Sequence, residues 1–167
     1  MDIALHLLQE ADAEELFDFE VENRDFFEKM VPGRGEEYYH FQNFQVRHHD
    51  LLNEQQNGIS TFFLIKNEDL KIIGRINVFD IDLTNRIAEV GFRIGEVWGG
   101  KGIGKQALHQ LVQSDLGLNQ LKAKTTTVNN ASQKILEQNG FVISGIGEHE
   151  FELNGQEMKF IYYLRKL

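Results

Sequence analysis

The chain of 167 residues contains no cysteine, and this absence excludes several kinds of chemistry. Without thiols there is no disulfide scaffold, thiolate zinc site or iron–sulfur cluster, and no cysteine can act as a nucleophile or carry an acyl group. A chain of this length buries roughly 70% of its unfolded surface, so it needs neither disulfides nor a metal to fold. We therefore expect one globular domain over residues 1–167, in a reducing compartment.

Basic residues are scarce: 17 Lys and Arg stand against 26 Asp and Glu, for a net charge of −9. Such a surface repels phosphate backbones and attracts cations such as amines, although solubility alone would explain the same excess. No apolar run approaches the roughly 20 residues that span a membrane. Met1-Asp2-Ile3 also lacks the basic segment that opens a signal peptide. We expect a cytoplasmic protein that binds neither nucleic acid nor membrane.

Hydrophobic periodicity predicts the order strand, two helices, a meander of three strands, helix, strand, helix and two final strands. The first helix is expected to start at Asp12 with Glu15 completing a capping box, and the second to run from about Glu36 to Glu54. A short β-branched strand is expected at Thr125–Val128. Because the strands outnumber the helices and the first ones are sequential, we predict an α+β fold with a mixed, mainly antiparallel sheet.

The segment with the clearest chemical signal is a glycine-rich loop between a predicted strand and a predicted helix. Its five glycines are Gly95, Gly99, Gly100, Gly102 and Gly104. Glycine lets the backbone approach a ligand closely, and the free N–H groups of a first helical turn bind anions with help from the helix dipole. The loop therefore predicts a phosphate or pyrophosphate site, with a tight turn that serves only packing as the alternative.

Two nucleotide-binding motifs nearly match this loop, and each fails at a defining position. Gly99 to Lys105 fits the start of the P-loop, but Gln106 stands where that loop needs Ser or Thr to hold magnesium. The dinucleotide fingerprint fails because Gly100, Gly102 and Gly104 are spaced two and two. Neither nucleotide class is therefore supported by the loop alone.

The histidines do not form a metal-binding pattern. His48, His49 and Asp50 are adjacent in a predicted helix, where neighbouring side chains point about 100° apart. The sequence has no His-Glu-x-x-His motif and no third ligand at a useful spacing. We expect structural or surface histidines and no metal.

Three segments, in the right order, resemble the Gcn5-related N-acetyltransferase (GNAT) family, most closely its Rim-type branch that acetylates ribosomal-protein N-termini. Ala88–Ile94 is similar to the family's fourth strand, and Gly99–Gly104 stands over its acetyl-CoA signature Arg/Gln-x-x-Gly-x-Gly/Ala, with Gly99 in place of Arg or Gln. Asn129–Phe141 is similar to the family's Asn-x-x-Ser…Leu-Glu-Lys-x-Gly-Phe segment. The resemblance covers about Lys71 to Leu164.

The resemblance implies a single-domain GNAT fold: a central mixed, mostly antiparallel, twisted sheet of about seven strands flanked by about four helices. It implies an enzyme that transfers acetyl directly from acetyl-CoA to a primary amine, with a protein N-terminal α-amine as the favoured acceptor. A small amine (an antibiotic or polyamine) and a non-catalytic CoA-binding domain stay open, as does a homodimer. A few phenylalanines between Phe26 and Phe44 are expected to line the acceptor pocket.

The resemblance also implies a set of cofactor-binding residues. The loop N–H groups would hold the pyrophosphate, and the strand before the loop would pair its backbone with the pantetheine arm. For Asn129 and Ser132, a helix-capping role is the alternative. The full set is Phe92, Arg93, Ile94, Gly99, Gly100, Lys101, Gly102, Ile103, Gly104, Lys105, Asn129 and Ser132.

Two catalytic residues follow from the resemblance. Leu136 stands where many relatives carry a proton-donating tyrosine, so Ser132 is expected to protonate the leaving thiolate. Glu89 is the expected base, because a partly buried carboxylate can have a raised pKa suited to catalysis. Glu150, Glu152 and a water chain stay open as alternatives to Glu89.

Overall fold

The computed structural model describes all 167 residues and contains nine strands and five α-helices. No helix combines the length and apolar character needed to cross a membrane. The elements are β1 (Ile3–Leu7), α1 (Ala13–Glu22), α2 (Arg24–Glu28), α3 (Phe41–Gln56), β2 (Thr61–Asn67), β3 (Ile72–Asp82), β4 (Ile87–Ile94), α4 (Ile103–Gln113), β5 (Gln120–Thr126), α5 (Asn130–Gln138), β6 (Val142–Ile146), β7 (Phe151–Leu153), β8 (Gln156–Met158) and β9 (Phe160–Lys166).

Seven strands form one mixed sheet in the order β1-β2-β3-β4-β5-β9-β6, and β7 and β8 form a separate hairpin. Only β4 and β5 pair in parallel, because α4 carries the chain back over the sheet between them. All other neighbours in the sheet are antiparallel. The predicted fold class is thereby confirmed.

The sheet lies between two apolar layers. On one face α4 packs with residues at helical spacing, because i, i+4 and i+8 positions lie on one side of a helix. On the other face α1, α2 and α3 cover the strands with a layer rich in phenylalanine. The buried α4 residues are Ile103, Gly104, Ala107, Leu108 and Leu111. The fully buried or nearly buried residues of the second layer include Leu16, Phe19, Phe27 and Phe44.

The predicted capping box of the first helix was wrong by one turn. A 3₁₀ turn over Glu10–Asp12 precedes α1, and Asp12 Oδ2 accepts a hydrogen bond from the Gln9 N–H at 2.8 Å. Glu15 Oε1 instead accepts one from the Ile72 N–H at 2.9 Å, at the start of β3. The glutamate that appeared to cap its own helix therefore ties that helix to the sheet.

Two further boundaries differ from the prediction. The helix expected from Glu36 begins as a 3₁₀ turn over Glu36–Tyr39, and His40 (φ −97°, ψ 122°) separates this turn from α3. The strand expected at Thr125–Val128 starts earlier, because Leu121 and Ala123 also alternate into the core. Boundaries of this kind depend on packing partners that local sequence does not display.

Candidate active site

The sheet is open between β4 and β5. These strands pair only where Ile87–Glu89 meet Gln120–Lys122. Beyond that point β4 continues along β3 as far as Ile94, and β5 continues along β9 as far as Thr126. Each strand therefore has one free edge facing a wedge-shaped opening.

Alternate residues of β4 turn their backbone groups into this opening. The Gly95 N–H donates to the Ile73 carbonyl at 2.9 Å, so odd-numbered residues here bond to β3 and even-numbered residues face β5. Of the three residues expected to pair with a pantetheine arm, Phe92 and Ile94 thus present free N–H and C=O groups. Arg93 faces β3 with its backbone and contributes to the site through its side chain.

The glycine loop presents unpaired N–H groups at the start of α4. Gly100 (φ 71°) and Gly102 (φ 78°) adopt left-handed conformations that favour glycine. None of the N–H groups of residues 100–105 donates to a backbone carbonyl. Together with the helix dipole, these donors form an anion site that fits a pyrophosphate. At Gly104 close packing also requires a glycine, because a Cβ there would lie 2.6 Å from Ile135 Cδ1.

One cavity of about 560 Å³ joins the free amides to the strand opening. It contains every predicted cofactor-binding residue except Lys101, whose Nζ lies 5.0 Å from the ring centroid of Trp98. The cavity is lined by the end of β4 (Phe92, Arg93, Ile94), the loop and α4 (Trp98, Gly99, Gly100, Gly102, Ile103, Gly104, Lys105), one side of α5 with its N-cap (Asn129, Ala131, Ser132, Lys134, Ile135, Gln138), and α2 with the residues after it (Phe26, Phe27, Met30, Val31).

The far wall of the cavity is apolar and comes from α2. Phe26 and Phe27 line it, while their expected role in an acceptor pocket stays a prediction. Phe41 and Phe44 pack instead against Phe17, each with ring centroids 5.2 Å apart. The aromatic run thus divides between a pocket wall and the core.

Asn129 and Ser132 meet at the start of α5. Asn129 Oδ1 accepts a hydrogen bond from the Ser132 N–H at 3.1 Å, so Asn129 caps this helix. The Ser132 side chain borders the cavity and its hydroxyl makes no hydrogen bond within the protein, which leaves it available to a ligand. Leu136 is buried in the core, so that position of α5 presents no polar group.

Glu89 lies at the closed end of the opening, because it is the last residue of β4 that pairs with β5. It does not line the cavity itself. Burial raises the pKa of Glu89, and a hydrogen bond to Asp80 and repulsion by that carboxylate raise it further. Lys124 and Lys122 oppose the shift. Asp80 is placed there by an irregularity in the β3–β4 register and a left-handed backbone (φ 51°).

The rival carboxylates lie on the β7–β8 side of the molecule. Glu150 and Glu152 are exposed and do not line the cavity. Their hairpin nevertheless reaches α2, because Asn154 Nδ2 donates to the carbonyls of Glu28 at 2.8 Å and Lys29 at 3.3 Å. The hairpin therefore supports the α2 wall from outside.

A buried charge cluster beside the cavity was missed by the sequence analysis. Glu20 is fully buried and bonds to Arg75 at 2.6 Å and to Arg93 at 3.1 Å. Burial would raise the pKa of Glu20, but the two arginines overcome this and hold it below its ordinary value. A carboxylate on the apolar face of α1, next to Phe19 and four residues after Leu16, was the signal that could have revealed it.

One histidine has a clear structural role. His48 is buried in α3, with Nε2 3.0 Å from the carbonyl oxygen of Gln9. This contact ties α3 to the loop before α1. His48 therefore confirms the expectation of structural histidines at this position.

A sheet opened between two parallel strands, beside a helix that starts with unpaired amides, has the shape and donors suited to an extended ligand with a phosphate group. Residues 2–142 match the family model described as the acetyltransferase (GNAT) domain. The chain therefore belongs to the GNAT family, which confirms the resemblance and the predicted class of enzyme, an acetyltransferase.

Curated relatives match nearly the whole chain at low identity. The chain is 29% identical over 157 residues to the probable N-acetyltransferase YjcK of Bacillus subtilis, covering 89% of this chain and 84% of that protein. It is 26% identical over 160 residues to the [ribosomal protein uS5]-alanine N-acetyltransferase of Escherichia coli, covering 92% of this chain and 82% of that protein.

Solved structures share the fold over almost the entire chain. The ribosomal-protein-S5-alanine acetyltransferase from Vibrio fischeri has a TM-score of 0.89 at 20% identity, covering 99% of this chain and 93% of that one. RimL, a ribosomal L7/L12 α-N-protein acetyltransferase in complex with coenzyme A, has a TM-score of 0.88 at 20% identity, covering 99% of this chain and 94% of that one. Spermidine N-acetyltransferase from Vibrio cholerae, in complex with CoA and spermine, has a TM-score of 0.79 at 19% identity, covering 98% of this chain and 95% of that one.

Proposed function

We propose that this protein transfers the acetyl group of acetyl-CoA directly to a primary amine, with a protein N-terminal α-amine as the favoured acceptor. The observation that carries the proposal is the single cavity that joins the free amides of the glycine loop to the open edge of β4. Coenzyme A combines a pyrophosphate with an extended amide-containing arm, and the two parts of the cavity suit these two groups. Membership of the GNAT family and the ribosomal-protein acetyltransferases among the relatives support the same reaction.

The chain would hold acetyl-CoA mainly through its backbone. The N–H groups of Gly100, Gly102, Gly104 and Lys105 would bind the pyrophosphate, and the free backbone groups of β4 would pair with the pantetheine arm like an added strand. When bound, acetyl-CoA supplies the thioester. A β4 N–H next to its carbonyl would stabilise developing negative charge there, and losing such a donor costs about 100- to 1,000-fold in rate.

Two side chains would move the protons. Glu89 would accept a proton from the attacking amine, directly or through one water, since it lies at the closed end of the opening. Ser132 would give a proton to the departing sulfur as the new N–C bond forms and the C–S bond breaks. The exposed positions of Glu150 and Glu152, outside the cavity lining, favour Glu89 over these rivals.

The charges around the cavity favour a protein N-terminus over a polyamine. No carboxylate lines the cavity, whereas Arg93, Lys105 and Lys134 do. On the α2 side, Arg93 would repel the several positive charges of a polyamine, while an N-terminus brings one amine that must in any case lose its proton. The apolar wall from Phe26 and Phe27 would contact the first side chain of such a peptide.

Acetyl transfer is tested by incubating the protein with acetyl-CoA and short peptides that begin with Ser or Ala. We expect release of free CoA and a product heavier by one acetyl group at the N-terminal amine, measured by thiol titration and mass spectrometry. A CoA-binding domain without activity would instead show thermal stabilisation by acetyl-CoA and no CoA release above background hydrolysis. No stabilisation at all would rule out both functions.

The proton-transfer roles are tested by substitution. Glu89→Gln should lower kcat by roughly 100-fold or more with little change in acetyl-CoA affinity, because a general base contributes about 10²–10⁴ in rate. Ser132→Ala should also lower kcat, and Glu150→Gln and Glu152→Gln serve as matched controls that leave it unchanged. An unchanged rate for Glu89→Gln would transfer the role to a water chain.

A further inference from the structure

Two arginines share one buried carboxylate next to the cavity, and the charge of a third, Arg34, acts on both Glu20 and Arg93. Glu20 bonds to Arg75 at 2.6 Å and to Arg93 at 3.1 Å. Arg34 has no carboxylate partner: its Nη1 donates to the Tyr38 hydroxyl at 3.0 Å, and its Cζ lies 4.8 Å from the Tyr38 ring centroid. The formal charge of the group is therefore +2.

The positive charges of the group lower the pKa of one of its own arginines. Burial lowers the pKa of Arg93, and repulsion by Arg34 and Arg75 lowers it further against the attraction of Glu20. The Nε of Arg75 is also a buried donor with no hydrogen-bond partner. Arg34 adds an exposed positive charge without a carboxylate partner, so the cluster can attract an anion.

This charge lies on the acceptor side of the cavity and away from the glycine loop. The Arg93 side chain borders the cavity, stacks over Phe27 of α2 at 4.5 Å and reaches Glu20 of α1, so it points to the α1–α3 face of the sheet. Its neighbours Phe92 and Ile94 pack with the layer on the opposite face, where α4 begins. The cationic group is therefore separated from the amides that would hold the pyrophosphate.

One face of β4 connects the proposed base to Arg93. Glu89, Gly91 and Arg93 alternate onto the same face, and Phe79 stands beside Gly91, 3.3 Å from where a Cβ would lie. Along a strand, four residues span roughly 13 Å. The proposed base and the arginine therefore lie on one face of β4, with the Phe79 ring over Gly91 between them.

We propose that the acceptor carries a carboxylate as well as its amine, and that Arg34 and Arg93 bind this carboxylate while the amine lies at the thioester. Guanidinium groups suit this role because their planar N–H donors match a carboxylate in a bidentate geometry. The carboxylate has two possible sources, an acidic side chain near a peptide N-terminus or the α-carboxylate of a free amino acid. The inference rests on the proposed acetyl transfer for the position of the acceptor.

The test uses matched acceptors that differ only in this carboxylate. One pair is Ser-Glu-Ala-Ala-Ala-amide and Ser-Gln-Ala-Ala-Ala-amide, in which the terminal amide removes the second carboxylate; the other pair is free serine and serinamide. We expect the member with the carboxylate to have a kcat/KM about tenfold higher or more, the factor typical of a hydrogen bond to a charged group. Whichever pair shows the preference identifies the source.

A substitution at Arg34 tests whether this arginine causes the preference. Arg34 is exposed, and the proposed cofactor site does not use it. Arg34→Gln should abolish most of the preference by raising KM for the acidic acceptor and leave the neutral acceptor unchanged. Arg47→Gln, at a comparably exposed arginine on α3, is the control and should change neither. The preference should also weaken as salt rises, because an exposed charge is screened within a Debye length.

Equilibrium binding of the same acceptors to the protein with CoA separates this inference from the acetyl-transfer proposal. Tighter binding of the carboxylate member with no turnover would support the carboxylate site and contradict catalysis. Turnover with equal kcat/KM and equal binding within both pairs would overturn the carboxylate site and leave the acetyltransferase intact. Equal binding without any turnover would overturn both.

Discussion

At the scale of single residues, Asp80 and Glu89 form a pair of carboxyl groups in which one raises the pKa of the other. Burial is the largest cause of the raised pKa of Glu89, and the hydrogen bond to Asp80 and repulsion by its charge come next. A base with a raised pKa loses its proton nearer to neutral pH and accepts a proton from an amine more readily. The irregular β3 register that presents Asp80 would then serve the chemistry.

This pairing predicts a shift in the pH dependence of the reaction. Asp80→Asn removes the charge but keeps a side chain that tolerates the left-handed backbone at this position (φ 51°). Because Asp80 raises the pKa of Glu89, its removal lowers that pKa, and the acid limb of the kcat profile should move to lower pH. The profile is measured with saturating acetyl-CoA; a limb that does not move would separate Asp80 from the base.

At the scale of elements, the Glu20 cluster ties α1 to β3 and β4. The two ion pairs cross from the helix to both strands, and Asn23 Oδ1 at the α1–α2 boundary accepts a hydrogen bond from the Glu96 N–H at 2.8 Å. The same strand β4 borders the cavity, so the helix layer positions the cavity wall. Loss of the cluster should therefore affect stability as well as the acceptor side.

Glu20→Gln should destabilise the fold by about 3–5 kcal/mol, because removing one partner leaves buried arginine charges without compensation. Glu22→Gln, on an exposed position of the same helix, should change the unfolding free energy by less than about 0.5 kcal/mol. Both are measured by urea unfolding with the same protein concentration. A small effect of Glu20→Gln would mean that water compensates the arginines.

The sign of the pH effect follows from the same cluster. The pKa of Glu20 lies below its ordinary value of 4.5 in the folded chain. Its ion pairs therefore contribute stability above that pH and lose it as the pH falls through the lowered pKa. The stability difference between the wild type and Glu20→Gln should shrink in that acidic range, which unfolding at a series of pH values would reveal.

At the scale of the whole molecule, the overall charge and the charge of the site have opposite signs. The chain carries −9, which would attract amines from solution, yet the cavity is lined by cations and by no carboxylate. Long-range attraction is screened within about 8–10 Å at physiological salt, so the local charges decide what binds.

This contrast predicts that spermidine is a poor acceptor despite the acidic surface. Its kcat/KM should be at least about tenfold below that of a peptide beginning with Ser. The reason is that repulsion by the nearby cations of the cavity exceeds the screened attraction of the distant acidic surface. CoA release with both acceptors, at one ionic strength, checks this. A higher kcat/KM for spermidine would contradict the argument from the cavity lining.

The sequence by itself determined the sheet class and the glycine loop at the start of α4. These features are local: glycine spacing before a helix fixes free amides, and alternating apolar residues fix strands, whatever lies elsewhere in the chain. Helix boundaries at Asp12 and His40 were less predictable, because Glu15 and its neighbours respond to contacts with distant strands.

Only the tertiary structure decided which side chains share the site. The opening between β4 and β5 depends on where two strands stop pairing whose partner residues are 33 apart in the chain. The cluster of Glu20, Arg75 and Arg93 joins three elements separated by up to 73 residues. Ion pairs across such distances leave no periodic trace in a sequence. The net charge suggested a cationic partner, whereas the folded chain places Arg75 and Arg93 on Glu20 and leaves Arg34 without a carboxylate partner, which supports the proposed anionic group on the acceptor.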